Sequence, residues 1–178
     1  MKFELDAFDF LNKLGDKYEL SDLGKPILSD WEPIKGKFFP RVKATMVPDI
    51  TTWKTDFLVL NQKALDVLKD VLEAMGELLP IEVAGETRYL FNPLTHLPED
   101  VIDFDNSEYE YHASEEQPVG FKVLNFDPNK VPKAQMLFRV EHDFAYNLYC
   151  DDRFIDRLKQ SELNGLVFNP TLIEPYFK

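Results

Sequence analysis

Asp56-Phe57-Leu58-Val59-Leu60-Asn61 opens a stretch that runs on through Gln62-Lys63-Ala64-Leu65-Asp66-Val67-Leu68-Lys69-Asp70-Val71-Leu72-Glu73-Ala74-Met75 to Gly76. The apolar run before Asn61 is short enough for a strand. Asn61 has the side chain of an N-cap, and Leu60 before it and Leu65 four positions after it have the spacing of a hydrophobic staple. Leu65, Leu68, Val71, Leu72 and Met75 then recur at helical spacing on one face, with Asp66, Lys69, Asp70 and Glu73 on the other. This predicts a helix over about 61–75, with Gly76 ending it at the C′ position.

Working outward, Leu78–Val83 and Thr87–Asn92 flank Ala84-Gly85-Glu86, which reads as a hairpin with a three-residue loop. Downstream, Pro118–Phe126, Ala134–Val140 and Tyr146–Cys150 read as further strands. Asp151 or Asp152 can cap a second helix over about 152–162, with Phe154, Ile155 and Leu158 as its buried face. Asn164-Gly165 is expected to close that helix and Leu166-Val167-Phe168 to form a last strand. Upstream, Gly24, Pro26, Pro33, Gly36, Pro40 and Pro48 break any long helix. The expected class is α+β, a single domain with a mainly antiparallel sheet, one central helix and one C-terminal helix. Residues 1–50 are expected to form a Pro-rich lead-in packed on a body formed by 51–178.

With 178 residues, 44% of them hydrophobic, the chain can bury one sizeable core. It carries 20 basic and 32 acidic residues, a net charge of -12. That sign repels phosphate backbones and anionic membrane surfaces, so nucleic-acid and membrane partners are not expected, whereas basic partners are favoured. Solubility alone is the competing reason for such acidity. The one cysteine, Cys150, rules out an intrachain disulfide, and the N-terminal residues do not read as a secretory signal. No run approaches the roughly 20 apolar residues of a membrane span. A cytoplasmic location is therefore expected.

The charge is concentrated. Between Glu99 and Glu116 there are eight carboxylates and no lysine or arginine, interleaved with Val101, Ile102, Phe104, Tyr109 and Tyr111. On a strand through Val101–Asp105, Ile102 and Phe104 would bury while Asp103 and Asp105 face out. The later part, with aromatics among acids, has the composition of a binding surface. The candidate partner-binding residues are Asp103, Asp105, Glu108, Tyr109, Glu110, Tyr111, Glu115 and Glu116. The alternative is a solubilising loop with two core tyrosines. A local basic excess, Lys35, Lys37, Arg41, Lys43, Lys54 and Lys63, is expected to balance the acidic stretch or to offer a second surface.

Catalytic and metal constellations are not expected. His96, His112 and His142, with Asp100, Asp103 and Asp143 nearby, have no recognised ligand spacing. Asp103 and Asp105 on one face could in principle do acid–base work or hold a cation, but no convergent polar motif accompanies them. Cys150 precedes two aspartates, which raise a thiol pKa. Scattered glycines make no phosphate loop, and no cofactor is called for.

Several of these segments, taken residue by residue, are similar to a bacterial immunity-protein family whose members are encoded beside polymorphic toxins, including type VI secretion effectors. The similarity starts at Asp56 and the strand leading into the Asn61–Met75 helix. It continues through the hairpin to Tyr89 and Val101-Ile102-Asp103-Phe104-Asp105. It is closest in Tyr149-Cys150-Asp151-Asp152-Arg153-Phe154-Ile155 and Leu163-Asn164-Gly165-Leu166-Val167-Phe168. It covers roughly residues 50 to 170 and leaves out the Pro-rich first third. The resemblance implies a non-catalytic protein that binds a cognate toxin in the producing cell and occludes its active or substrate-access site. The other classes the residues leave open are a regulatory or adaptor protein without a toxin partner and a small carboxylate-dependent hydrolase. Oligomeric state is not legible.

Overall fold

In a computed structural model of the chain, Phe57–Leu60 forms strand β5 and Gln62–Met75 forms helix α1. The structure describes residues 3–5, 23–36, 38–40, 47–53, 57–111, 117–141, 147–166 and 168. Asn61 caps α1 through its side chain, which accepts from the Ala64 amide at 2.9 Å. Ala64, Leu65, Leu68, Val71, Leu72 and Met75 are buried. Burying each of the larger ones contributes about 2 kcal/mol.

Helix α1 passes directly into strand β6, Gly76–Val83, which turns back as β7, Glu86–Pro93. The pair is antiparallel in unbroken register from Gly76↔Pro93 to Val83↔Glu86. The loop is therefore two residues, not three. Ala84 (φ 54°) and Gly85 (φ 83°) both lie at positive φ, the type I′ geometry whose twist matches the strands. Gly76 differs from its expected role: its φ of 179° is extended, so no left-handed cap is present. Glycine is needed because the backbone of Asn92 lies against it; an added Cβ would strike the Asn92 carbonyl oxygen and approach Phe91 at 2.8 Å.

The central sheet has five strands in the order β2-β6-β7-β5-β4, where β2 is Ile34–Gly36 and β4 is Ile50–Trp53. β2 runs parallel to β6, and the other neighbours are antiparallel. Strand alternation divides its side chains between two cores. Leu58, Leu60 and Phe91 pack with α1 and with helix α2, Asp152–Gln160. Phe57, Val59, Leu79, Ile81, Val83 and Leu90 face the opposite way and are covered by Leu23, Trp31 and Ile34. The covering segment is strapped down by polar contacts. Asn92 accepts from the Gly24 amide at 2.6 Å and donates to the Lys25 carbonyl at 2.9 Å. Glu77 accepts from the amides of Ile27 and Leu28, and the Trp31 indole donates to the Pro80 carbonyl at 2.8 Å.

A second sheet orders as β12-β11-β8, with β8 His96–Leu97, β11 Leu137–Val140 and β12 Tyr149–Cys150. β11 pairs antiparallel with β12 and parallel with β8. A ribbon pairs β9, Glu108–Glu110, with β10, Gly120–Val123. Phe3–Leu5 (β1) and Phe38–Pro40 (β3) form a further antiparallel pair. Strand pairs are mostly antiparallel, with two α-helices among the described residues, so the class is α+β. The downstream strands are shorter than the runs suggested, Gly120–Val123, Leu137–Val140 and Tyr149–Cys150, and Tyr146 lies outside the described residues.

Asp151 caps α2, accepting from the Phe154 amide at 3.2 Å. The helix ends at Gln160 with Ser161 as C-cap, and Glu162 takes the left-handed conformation at φ 53°. Gly165 is thus not the residue that closes α2. Its positive φ of 114° serves a different contact: the chain presses against the start of β4, where a Cβ on Gly165 would strike the Ile50 carbonyl. Leu166 and Phe168 belong to no strand and instead pack on the helical core. Val167 lies outside the described residues.

This docking is organised by Asp49, only 7% exposed. Its carboxylate accepts from Asn61 Nδ2 at 2.9 Å, Lys63 Nζ at 3.0 Å, Asn164 Nδ2 at 2.7 Å and the Asn164 amide at 3.2 Å. Burial alone would raise this carboxyl, but those hydrogen bonds and the Lys63 charge outweigh it and hold the pKa below the ordinary value. A depressed folded pKa means the stabilisation is complete above the unfolded value of about 4 and is lost as pH falls through the folded one. Replacing Asp49→Ala should lower stability by about 2–4 kcal/mol at pH 7, read by urea unfolding. It should also flatten the acid limb of the stability curve below about pH 4; an unaltered acid limb would remove Asp49 as its source. Gly165→Val should cost at least about 2 kcal/mol through strain and collision, seen as a lowered melting temperature.

Candidate functional site

The acidic stretch begins as a single 3-10 turn, Glu99–Val101, not as a strand. Val101 and Ile102 are buried in a third core with Leu97, Phe121, Leu124, Phe138, Val140 and Tyr149. Backbone bonds sew this part to the segment after β10: Asp103 N donates to Asn125 O, and Asp127 N to Val101 O, both at 2.9 Å. The chain then turns sharply. Asp103 accepts from the Asn106 amide and, at 2.8 Å, from Asn106 Nδ2, an Asx-type turn. Ser107 Oγ accepts from the Asn125 amide at 2.9 Å. The turn reverses the expected placement of Phe104, which emerges 41% exposed where burial was expected.

Strand β9 then alternates. Glu108 and Glu110 are exposed, and Tyr109 between them is half-buried. Tyr109 sits opposite Phe121 in the register, and the rings stack at 4.9 Å with a 21° interplanar angle. Phe121 is 6% exposed and belongs to the core below. Phe104 lies 6.2 Å from Tyr109 and 6.5 Å from Phe121, and Tyr111 meets Tyr109 edge-on at 6.3 Å. Four rings therefore form a row whose middle is fixed to the core and whose ends, Phe104 and Tyr111, face solvent.

The electrostatics follow this geometry. The Tyr109 phenol is pushed up by burial first, then by the charges of Glu99 and Tyr111. Glu108 forms an ion pair with Lys122 at 2.9 Å, and that hydrogen bond raises the lysine pKa. Lys130 Nζ donates to the Asp100 carbonyl at 2.9 Å. Asp105 and Glu110 are exposed and bear no side-chain hydrogen bond or ion pair among the described residues. Among the described residues, Lys122 and Lys130 are thus two cations placed beside this stretch. Lys35 pairs with Glu82 at 3.5 Å and Lys63 with Asp49, both away from it. Lys37, Arg41, Lys43 and Lys54 lie outside the described residues.

Of the expected contact residues, the structure brings Asp105, Glu108, Tyr109, Glu110 and Tyr111 onto one ribbon and its turn. Asp103 is there too, but its carboxylate is engaged by Asn106. Glu115 and Glu116 lie outside the described residues, as do His112 and His142. Phe104 and Glu99 join the surface without having been expected there. The Asp103-x-x-Asn106 spacing is the signal that could have announced the turn. Among the described residues, no group of three or more His, Cys, Asp or Glu side chains is placed to hold a metal ion. His96 Nε2 lies 3.3 Å from Arg139 Nη1. Burial, then Asp151 and Asp152, push the Cys150 thiol up to about 12, so it is no thiolate nucleophile at neutral pH. What the ribbon can do chemically is present carboxylates and ring faces to a cationic surface. No helix among the described residues is long and apolar enough to cross a membrane.

No curated protein compared with the chain matches it. The model of the Immunity protein family (Imm11) matches residues 37–172. The match takes in the ribbon, both helices and the central strands from β4 onward. It begins inside the Pro-rich stretch, earlier than the resemblance read from the residues. The covering segment 23–36 precedes it. Spanning well over half of the sequence, this match places the chain in the Imm11 immunity protein family.

Proposed function

We propose that the protein binds a cognate antibacterial toxin inside the producing cell and neutralises it by occluding the toxin's active or substrate-access site. Membership of an immunity family carries this reading. The reading needs no catalysis and no cofactor; the protein acts by occupying a surface. The contact is assigned to the acidic stretch: Asp103, Asp105, Glu108, Tyr109, Glu110, Tyr111, Glu115 and Glu116. Two features support that assignment. The stretch has eight carboxylates and no basic residue within a chain of net charge -12, which suits a toxin with a basic surface. Of the five large hydrophobic residues that stand exposed among the described residues, Phe104, Tyr111 and Val123 lie on the ribbon and its turn. A toxin that acts on a nucleic acid or nucleotide commonly carries such a basic site, and an acidic protein covering it would compete with an anionic substrate.

Co-expression with the toxin encoded beside this gene should restore growth, and the two proteins should co-purify. Continued killing without co-purification would sink the immunity reading. Reversing charge at Asp105, Glu108 and Glu110 together should weaken toxin binding by roughly tenfold, chiefly through slower association, and flatten its dependence on salt. All three side chains are exposed, so the melting temperature should stay within a few degrees. An unchanged affinity and salt slope in this folded variant would place the interface on another face.

A further inference from the structure

Resting on the reading that the ribbon meets the partner, we infer that contact extends over its aromatic side, and that this side receives arginine side chains of the partner. The register of β9 separates two surfaces. Glu108 and Glu110 share the side opposite Tyr109. On that side Glu108 is already occupied by Lys122 at 2.9 Å. The other side carries the ring row, with Phe104 and Tyr111 at its exposed ends.

The chemistry of that side selects the cation. Tyr109 is stacked on Phe121, and Phe121 is anchored in the core, so the row loses little side-chain freedom on contact. An arginine guanidinium is planar and weakly hydrated. It can lie on the exposed face of Tyr111 or Phe104 while its N–H groups donate to an exposed carboxylate of the stretch such as Asp105. A lysine ammonium is compact and strongly hydrated, and gains less from a ring face beside water. The partner should therefore present arginines rather than lysines here. Phe104 then joins the contact set beside the carboxylates already assigned to it.

The test uses the full chain and two blocked peptides, hexa-arginine and hexa-lysine, at equal ionic strength. The net charge attracts both, so their affinity ratio reports what guanidinium gains over ammonium, and loss of the rings separates the ring contribution from carboxylate pairing. Hexa-arginine should bind roughly five- to tenfold more tightly than hexa-lysine. In Tyr111→Leu combined with Phe104→Leu, the preference should fall to about twofold or less while hexa-lysine affinity holds. Both positions are exposed and leucine keeps the apolar bulk; an unchanged melting temperature certifies the fold, and Tyr111→Leu alone serves if the pair fails that check. Shifts of the tyrosine ring signals by NMR on adding hexa-arginine locate the contact. Equal affinities for the two peptides, or an arginine preference that survives loss of both rings, would overturn the inference. No toxin is needed for this measurement. Failure of rescue in cells sinks the proposed function, whereas rescue without an arginine preference sinks only the chemistry assigned to this side.

Discussion

A single buried carboxylate joins three parts of the molecule that are remote in sequence. Asp49 stands just before the edge strand β4, meets the cap of α1 through Asn61, and holds the chain after α2 through Asn164. A carboxylate taken out of water is tolerated only when its oxygens are satisfied by good donors, here four of them, one charged. The arrangement is mutual. The Asn61 amide also donates to the Asp49 carbonyl at 2.8 Å, and the Ile50 amide to the Asn164 carbonyl at 3.1 Å. Edge strand, helix start and C-terminal segment thus share one polar junction, and the close passage at Gly165 follows from it. Lys63 adds a second tie, donating to the Glu162 carbonyl at 3.2 Å. Arg157 fixes the two helices to each other through Asp70 and the Val67 carbonyl.

Local signals in the sequence carried far. The α1 cap, its apolar face, the β6–β7 hairpin and the α2 cap all depend on residues within a few positions of one another, and all are found. What failed to show depends on partners distant along the chain. Gly165 looks like a helix terminator because Asn164-Gly165 follows a helix; only the approach of Ile50 explains its conformation. Gly76 looks like a cap for the same reason, and its cause is the backbone of Asn92. The parallel pairing of β2 with β6 cannot be read from either segment alone, because nothing in Ile34-Lys35-Gly36 specifies its neighbour.

The candidate site was legible in composition and not in sidedness. Carboxylates alternating with tyrosines in Glu108-Tyr109-Glu110-Tyr111 announce two faces, but which face meets the body depends on Phe121 lying opposite Tyr109. The register shift between Phe121 and Val123 places Lys122 within reach of Glu108. Simple alternation from Ile102 puts Phe104 inward; the Asp103–Asn106 turn breaks that alternation and carries its ring outward. The physical content of the site thus lies in ring packing that no count of acidic residues conveys.

The segment that covers the far face of the central sheet has a consequence for modularity. Family similarity starts at residue 37, yet Leu23, Trp31 and Ile34 close a core whose other members lie on the four strands β4 to β7 inside the matched range. Asn92 and Glu77, both within that range, spend their polar groups on Gly24, Lys25, Ile27 and Leu28. A piece cut at the border of similarity would carry a buried amide and a half-buried carboxylate tailored to a segment left behind. The unit that this chain folds as a working whole is therefore wider than the range the family match covers.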